Sequence, residues 1–360
     1  MTVIGISGCT ALLLSGFGIQ DSIGRVAIAQ YGEIFCFDAN IELDDKMSDV
    51  QYQNLCQDLS QNENTLSYGA IQIEPATYDE NGTDKALDIY VPLNDYFDQF
   101  ISIHQRQNKE LLTLTDDSVI ISEKLSMRMN LEIGDTLVIK NQDEVKAEVT
   151  VGGICENYVG HIVYMTPTYY KKCFKEEANI TNILIDMEHT DLDYEQAYGE
   201  FFMQEEGVNA ISFNAGVAQS FEETIHSISL IVIVLTVCAG LLAFIVLYNL
   251  TTVNVSERIR EIATIKVLGF TDQEVASYVY RENIVLTMIG AICGLGLGIW
   301  LHQMIMSLAE LESVMFGRNI DPLSYIYSFV ITLVFAFLVN LVMYPKLSKI
   351  QMVESLKSIE

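Results

Sequence analysis

The sequence predicts a membrane protein with four transmembrane α-helices, one and then three. A large α+β extracytoplasmic domain is inserted between helices 1 and 2. Three observations carry this fold class. Four apolar stretches are each long enough to cross a bilayer, which takes roughly 20 residues. The 360-residue chain has a formal net charge of -28, yet its mean hydropathy is positive. Those two properties conflict in one soluble domain and reconcile if apolar spans alternate with an acidic soluble part. Finally, the short connections differ in basic residues, which fixes an orientation.

Helix 1 covers residues 1–23, with its apolar run from Thr2 to Ile19. No basic residue precedes that run, whereas an export signal has a basic start. Ala27-Ile28-Ala29 imitates a cleavage site and Ile6-Ser7-Gly8-Cys9 imitates a lipoprotein box. Cys9 lies too close to Met1 for the second, and Asp21 and Arg25 interrupt the approach to the first. The missing basic flank suggests the back part of a longer protein, or a trimmed start.

Residues 24–222 form the extracytoplasmic domain, with a β-rich insert at about 115–166. Tyr31 to Leu43 alternates like a strand. Asp49 to Leu59 reads as helix. Leu66 to Glu74 and Leu87 to Leu93 read as strands, with a turn at Asp79-Glu80-Asn81-Gly82 between them. Ser122 is a plausible N-cap for a helix over Glu123 to Met129. Strands follow at Thr136 to Lys140, Val145 to Ile154 and Val159 to Met165, the last stopped by Pro167. The pattern closes with a strand (Ile180 to Met187), a helix (Leu192 to Glu205) and a strand (Val208 to Phe213). The organisation expected is two β-α-β units flanking the insert.

Helix 2 covers residues 223–251, helix 3 residues 283–307 and helix 4 residues 323–345. A short outer loop covers residues 308–322 and a tail residues 346–360. Between helices 2 and 3 lies a charged segment, residues 252–282. Ile259, Ile262, Ala263, Ile265, Val267 and Leu268 keep a helical period, while Glu257, Arg258, Arg260, Glu261 and Lys266 fill much of the rest. A short amphipathic helix is the direct reading. Gly269 sits where a left-handed C-cap belongs. Thr271 and Glu274 then make a T-x-x-E capping box that starts another helix. The segment is a knuckle: helix, sharp turn, helix.

The knuckle carries Arg258, Arg260, Lys266 and Arg281, and the tail carries Lys346, Lys349 and Lys357. The loop between helices 3 and 4 has only Arg318 against Glu310, Glu312 and Asp321. Knuckle and tail are therefore cytoplasmic, and the large domain faces outward. Gly290, Gly294 and Gly298 put small residues on one face of helix 3, where another helix can approach closely. Glu222, Glu223, Glu310 and Glu312 form an acidic ring that reads as solvated surface.

Several chemistries are excluded by motif. There is no G-x-x-x-x-G-K-S/T loop, so the chain does not hydrolyse ATP alone. Neither H-E-x-x-H nor a paired C-x-x-C occurs, so no metal signature is present. The five histidines are scattered. Glu156 with His161 could be imagined as an acid–base pair, but no third group supports it. Cys9, Cys238 and Cys293 read as small apolar residues in spans. Cys36, Cys56, Cys155 and Cys173 permit disulfides or thiols, and their spacing fixes no pairing. No span interior holds a charged residue of the kind that coupled carriers use. An acidic chain also argues against nucleic acid as a partner.

One span, a large outer domain, then three spans with a charged knuckle resemble the FtsX-like permease family of ABC transporters, also called the MacB type. SERIREIATIKVLGF carries the likeness most specifically, with the glycine-rich third span beside it. The run from ISEKLSMRMNLEIGDTLVI through VGGICENYVGHIVYM resembles the outer domain of the large Gram-positive members. The chain would correspond to the C-terminal four-span unit of such a member. The basic segment expected before the first span is absent.

The resemblance implies a permease that works with a separate cytoplasmic ABC ATPase and dimerises with a second permease unit in the lipid bilayer. ATP would be bound by that partner, and the chain itself would need no cofactor. The knuckle residues Glu257, Arg258, Arg260, Glu261, Ile262, Lys266 and Gly269 would contact the ATPase. Closure driven by nucleotide would be relayed outward, a process called mechanotransmission. Lipid, lipoprotein or peptide cargo and control of wall hydrolases all fit. The acidic outer surface would favour cationic ligands, or serve only as a soluble coat. The alternative function is a membrane-anchored sensor or binding module acting without ATP, which would not need the knuckle. A membrane enzyme would lack any catalytic constellation here.

Overall fold

The computed structural model describes residues 2–94, 97–309, 312–317 and 319–348. The chain divides into two compact units. One is an outer body of residues 25–224 together with the described part of 311–316. The other is helical and holds the remaining described residues. The division falls within two continuous helices.

The first helix, α1, spans Thr2–Ile28 and runs straight into a π-helical turn, Ala29–Ile34. The expected strand from Tyr31 is therefore wrong in its first half. The alternation of Ile34 and Cys36 with Phe35 and Phe37 imitates a strand, but the backbone is helical through Ile34 and turns extended only from Phe35. Asn214 explains why: its side-chain amide donates to the Tyr31 and Phe35 carbonyls, both at 3.0 Å. Carbonyls orphaned at a helix end are thereby satisfied. Strand β1 is only Ala39–Leu43.

Next come α2 (Asp49–Gln61), β2 (Thr65–Glu80) and β3 (Thr83–Pro92). Ser48 and Gln51 close a full capping box on α2. Asn81 (φ 54°) and Gly82 (φ 83°) make the two-residue turn between β2 and β3. Positive φ at both positions suits a hairpin's right-handed twist, and Asn-Gly tolerates it best.

The insert supplies β4 (Val119–Ser122), α3 (Glu123–Met129), β5 (Thr136–Lys140), β6 (Lys146–Cys155) and β7 (Ile162–Tyr164). The Ser122 side chain does not cap α3. Its Oγ instead accepts from the Ile162 amide at 3.3 Å. Helix α4 (Pro167–Phe174) was not expected. Thr166 accepts from the Tyr169 amide at 3.1 Å, and Pro167 pre-sets the first turn. The body ends with β8 (Asn182–Met187), α5 (Leu192–Phe202) and β9 (Val208–Phe213).

The nine strands of the described residues make one sheet, ordered β3-β7-β4-β6-β5-β2-β8-β1-β9. The units β1-α2-β2 and β8-α5-β9 interleave as β2-β8-β1-β9, the split β-α-β order of ferredoxin-like folds. Each flanking unit was legible from the sequence; their interleaving was not. Ile41, Leu55, Leu59, Ile183, Ile185 and Phe202 form one core there. A second core joins Ile121, Val149 and Val163 of the insert to Tyr78 of β2, Ile89 of β3 and Phe174 of α4. Along β6, Ala147, Val149 and Val151 point inward and their neighbours outward, the period of a half-buried strand.

Helix α6 (Asn214–Glu257) is followed by α7 (Ile259–Val267), α8 (Asp272–Ala309) and α9 (Pro322–Ser348). At 44 residues, α6 is about 66 Å long at 1.5 Å per residue. A bilayer core of roughly 30 Å takes less than half of that. Among the described residues, four segments are long and apolar enough to cross a membrane: Val3–Ile34, Thr236–Glu257, Asn283–Ala309 and Pro322–Pro345.

In the helical unit, α8 lies against α1 through its glycines. A Cβ on Gly290 would stand 2.8 Å from the Ile6 Cβ, and one on Gly298 would stand 2.9 Å from the Leu14 Cβ. Ser7 Oγ donates to the Gly290 carbonyl at 3.0 Å, and the Thr10 and Thr332 hydroxyls meet at 3.1 Å. Small polar groups thus bridge helices where water is absent. Asp21 accepts from Ser324 Oγ (2.6 Å) and the Asp321 amide (3.1 Å) at the start of α9. A carboxylate there meets the positive end of the helix dipole.

All seven cysteines are thiols. Of the acidic ring, Glu312 is not merely solvated: Lys85 and Arg128 hold its carboxylate, each at 3.0 Å. Glu310, Arg318, Lys349, Lys357 and the side chains of Glu222 and Lys346 lie outside what is described.

Candidate coupling site

The knuckle is made by two interruptions of an otherwise continuous helical path. The first is at Arg258, between α6 and α7. The second is at Gly269, whose φ is +92°. Nothing lies within 4 Å of where its Cβ would be, so conformation alone, not space, calls for glycine. The Thr271 amide and hydroxyl then both donate to Glu274 Oε2 at 2.9 Å, one half of a capping box. Those two hydrogen bonds hold the Glu274 carboxyl below its ordinary range.

One side of the knuckle is packed. Ile262 is 2% exposed and Ala263 fully buried. Ile262 shares a cluster with Ile6, Val255, Val339 and Met343 from α1, α6 and α9. Tyr280 Oη donates to the Asn340 carbonyl at 2.7 Å and ties the start of α8 to α9. Ile262, expected as an ATPase contact, therefore faces the bundle. It seats the knuckle and has no exposed surface to offer.

The other side is open. Glu257 and Glu261 are exposed and Arg258 is half-buried. Arg260 and Lys266 have helical backbones in α7, and their side chains lie outside what is described. At the tip, Val267, Leu268 and Phe270 are 58%, 72% and 52% exposed. Three large apolar residues around one turn glycine form a surface that the charge pattern did not single out. The signal was the V-L-G-F run itself, apolar where a turn is usually polar.

No acid–base pair forms between Glu156 and His161. Glu156 is buried and bonds His104 Nε2 (2.9 Å), Lys109 Nζ (2.7 Å) and Tyr158 Oη (2.6 Å). Burial opposes its charge, but the Lys109 and Tyr158 hydrogen bonds outweigh that and hold the carboxyl below its ordinary range. His161 packs edge-on to Tyr78, with ring centroids 5.7 Å apart. No group of three or more metal-ligating side chains occurs among the described residues.

Among the described residues, four apolar helices, a β-rich body between the first and the rest, and a knuckle that carries Arg258, Arg260, Lys266 and Arg281 define a multi-pass membrane protein with an extracytoplasmic domain. Residues 233–352 match the model of the FtsX-like permease C-terminal family. The chain is similar to that family over this C-terminal stretch. It is 24% identical over 250 residues to YknZ of Bacillus subtilis strain 168, described as an uncharacterized ABC transporter permease. That match covers 62% of this chain and 58% of YknZ, so the chain spans under two thirds of that relative.

Two solved structures are also similar. The periplasmic region of MacB from Actinobacillus actinomycetemcomitans is 13% identical, with a TM-score of 0.32. The match covers 52% of this chain and 94% of that one. The extracellular domain of YknZ from Gram-positive bacteria is 15% identical, with a TM-score of 0.30, covering 48% and 98%.

Proposed function

We propose that the chain is the permease subunit of an ABC transporter that relays ATP-driven motion of a separate ATPase to its extracytoplasmic domain. One observation carries the reading: the two-faced knuckle. Its inner face, Ile262 and Ala263, is locked into the helical bundle. Its outer face offers Glu257, Glu261, Leu268 and Phe270 to a partner. A push on the tip is then a push on α1, α6 and α9. The sequence match to the FtsX-like domain and the description of YknZ as an ABC transporter permease support the same reading.

In this account the ATPase grips the tip by apolar contact, while Glu257, Arg258, Arg260, Glu261 and Lys266 set register by charge. Gly269 keeps the turn sharp. Gly290, Gly294 and Gly298 keep α8 against α1, so that displacement is passed on rather than absorbed. A ligand transmits a change only if it favours one of two states, and nucleotide closure of the partner supplies that bias. ATP belongs to the partner, and the chain binds no cofactor. Two such permease units meet in the membrane, and the cargo is a lipid, lipoprotein or peptide that is exported or extracted.

Co-purification in detergent with a co-expressed cytoplasmic ABC ATPase tests this reading. Leu268→Asp removes apolar tip surface without touching the core, and is expected to abolish binding. Retained binding and full coupled ATPase activity in that variant would show that the tip is not the contact, whereas binding by neither form, with the chain folded, would favour an anchored module that acts without ATP.

A further inference from the structure

The outer loop between α8 and α9 is more than a connection. Residues 312–316 belong to the outer body. The Gly160 amide donates to the Ser313 carbonyl and the Met315 amide to the Tyr158 carbonyl, each at 2.8 Å. Val159 and Val314 are thereby opposed as an antiparallel bridge. Met315 is 4% exposed. Lys85 from β3 and Arg128 from α3 both reach the Glu312 carboxylate. On the other flank, Gln30 Oε1 accepts from the Tyr158 amide at 2.8 Å, and its amide donates to Asn157 Oδ1 at 3.0 Å. The segment 157–160 is therefore held between the π-helical turn after α1 and the α8–α9 loop.

We infer that residues 312–316 are a strap that attaches the α8–α9 pair to the outer sheet. It supplies a third point, besides α1 and α6, at which membrane-helix motion reaches that sheet. This rests on the coupling reading above. The physical reasons are local. Two backbone hydrogen bonds and a buried methionine fix the strap's register, and two cations fix its acidic head. β7 begins two residues beyond Gly160 and runs beside β3 and β4. A pull on the strap thus enters the middle of the insert's half of the sheet. Glu312, Arg128 and Lys85 are positioning residues that hold the strap down.

The test uses the full-length chain in detergent, with and without the co-expressed ATPase. A cysteine at Val314, a half-buried residue of the bridge, is probed with a bulky maleimide. Docking is expected to slow its labelling roughly tenfold relative to a cysteine at exposed Ser313. Glu312→Arg places a cation against Lys85 and Arg128, and should remove that protection and lower the ATPase stimulation by cargo or permease. Adding Arg128→Glu should restore part of both. Val159→Cys with Val314→Cys should also form a disulfide on mild oxidation. Opposed residues flanked by paired hydrogen bonds lie about 4.5 Å apart at Cα, within the range that a disulfide spans.

Equal labelling at 313 and 314 in the unaltered chain, with no disulfide from the double cysteine, would show that the strap does not exist. Protection lost in Glu312→Arg with ATPase stimulation unchanged would show that it transmits nothing. Failure of the unaltered chain to bind any ATPase would refute the permease reading instead, and would take the third attachment point with it.

Discussion

Gly294 sits so close to Thr10 that a Cβ on the glycine would stand 2.6 Å from the threonine Cβ, and 2.7 Å from the Ser7 carbonyl oxygen. Backbone lies on one side of that contact, so no side-chain rotation can relieve it. Gly294→Val should therefore force α8 away from α1, at a cost of about 1–3 kcal/mol or more. Gly296, two residues on, has nothing within 4 Å. Gly296→Ala should be neutral or stabilising by up to about 1 kcal/mol, since alanine favours helix. Thermal unfolding of the two variants in detergent checks the pair. Equal midpoints would show that the glycine face does not hold these helices.

Ile262 and Leu268 should separate seating from contact. Ile262→Asp puts a charge among Ile6, Val339 and Met343, and should destabilise the helical unit by about 3 kcal/mol or more. Leu268→Asp changes an exposed position and should leave the unfolding midpoint within about 0.5 kcal/mol of the original. A large midpoint loss in Leu268→Asp would mean that the tip is packed.

At Gly269 the penalty is conformational. A residue with a Cβ at φ +92° is strained by about 1–2 kcal/mol. Gly269→Ala should lower stability by that amount, and Gly269→Asn by less, because asparagine tolerates the left-handed region. Unfolding in denaturant measures both. Equal losses would point to a steric cause that the open surroundings do not supply.

His161 gives a pH dependence with a definite sign. Burial first, then Arg128 and Lys124, push its imidazole below the ordinary 6.5. Glu80, the Tyr78 ring and the Glu312 main chain also face it. In the unfolded chain the ring takes a proton near 6.5, while in the folded chain it resists until lower pH. Over that window the unfolded state binds more protons, so stability falls as pH drops below about 6.5. His161→Gln should flatten the fall. The Glu80 and Glu312 carboxyls, held low by Arg128 and, for Glu312, by Lys85 too, lose their contribution only further down, below about 4.5. An unchanged profile between pH 6.5 and 5 in His161→Gln would contradict this assignment.

The four apolar helices were legible because composition alone decides whether a segment suits a bilayer. The knuckle was legible because its period, glycine and T-x-x-E box are local signals. β9 was read to the residue, since its alternation agrees with its burial. Residues 31–34 misled because the alternation at 34–37 was extended back over a π-helical turn, which Asn214 holds from a distant part of the chain. A one-residue register of apolar groups cannot report a partner some 180 positions away. The missed α4 is short, and Pro167 reads as a strand stop when its role is a helix start. The strap escaped for the same reason as Asn214. Glu312 looks solvated in sequence, and only the fold brings Lys85 and Arg128 to it.

The most direct measurement of the central claim is co-purification of the chain with a co-expressed cytoplasmic ABC ATPase, followed by an ATPase assay, for the unaltered form and for Arg260→Glu. The account predicts a complex whose ATPase responds to the permease, with binding or coupling lost when the knuckle charge is reversed. An intact, folded chain whose ATPase coupling is indifferent to that reversal and to Leu268→Asp would contradict it.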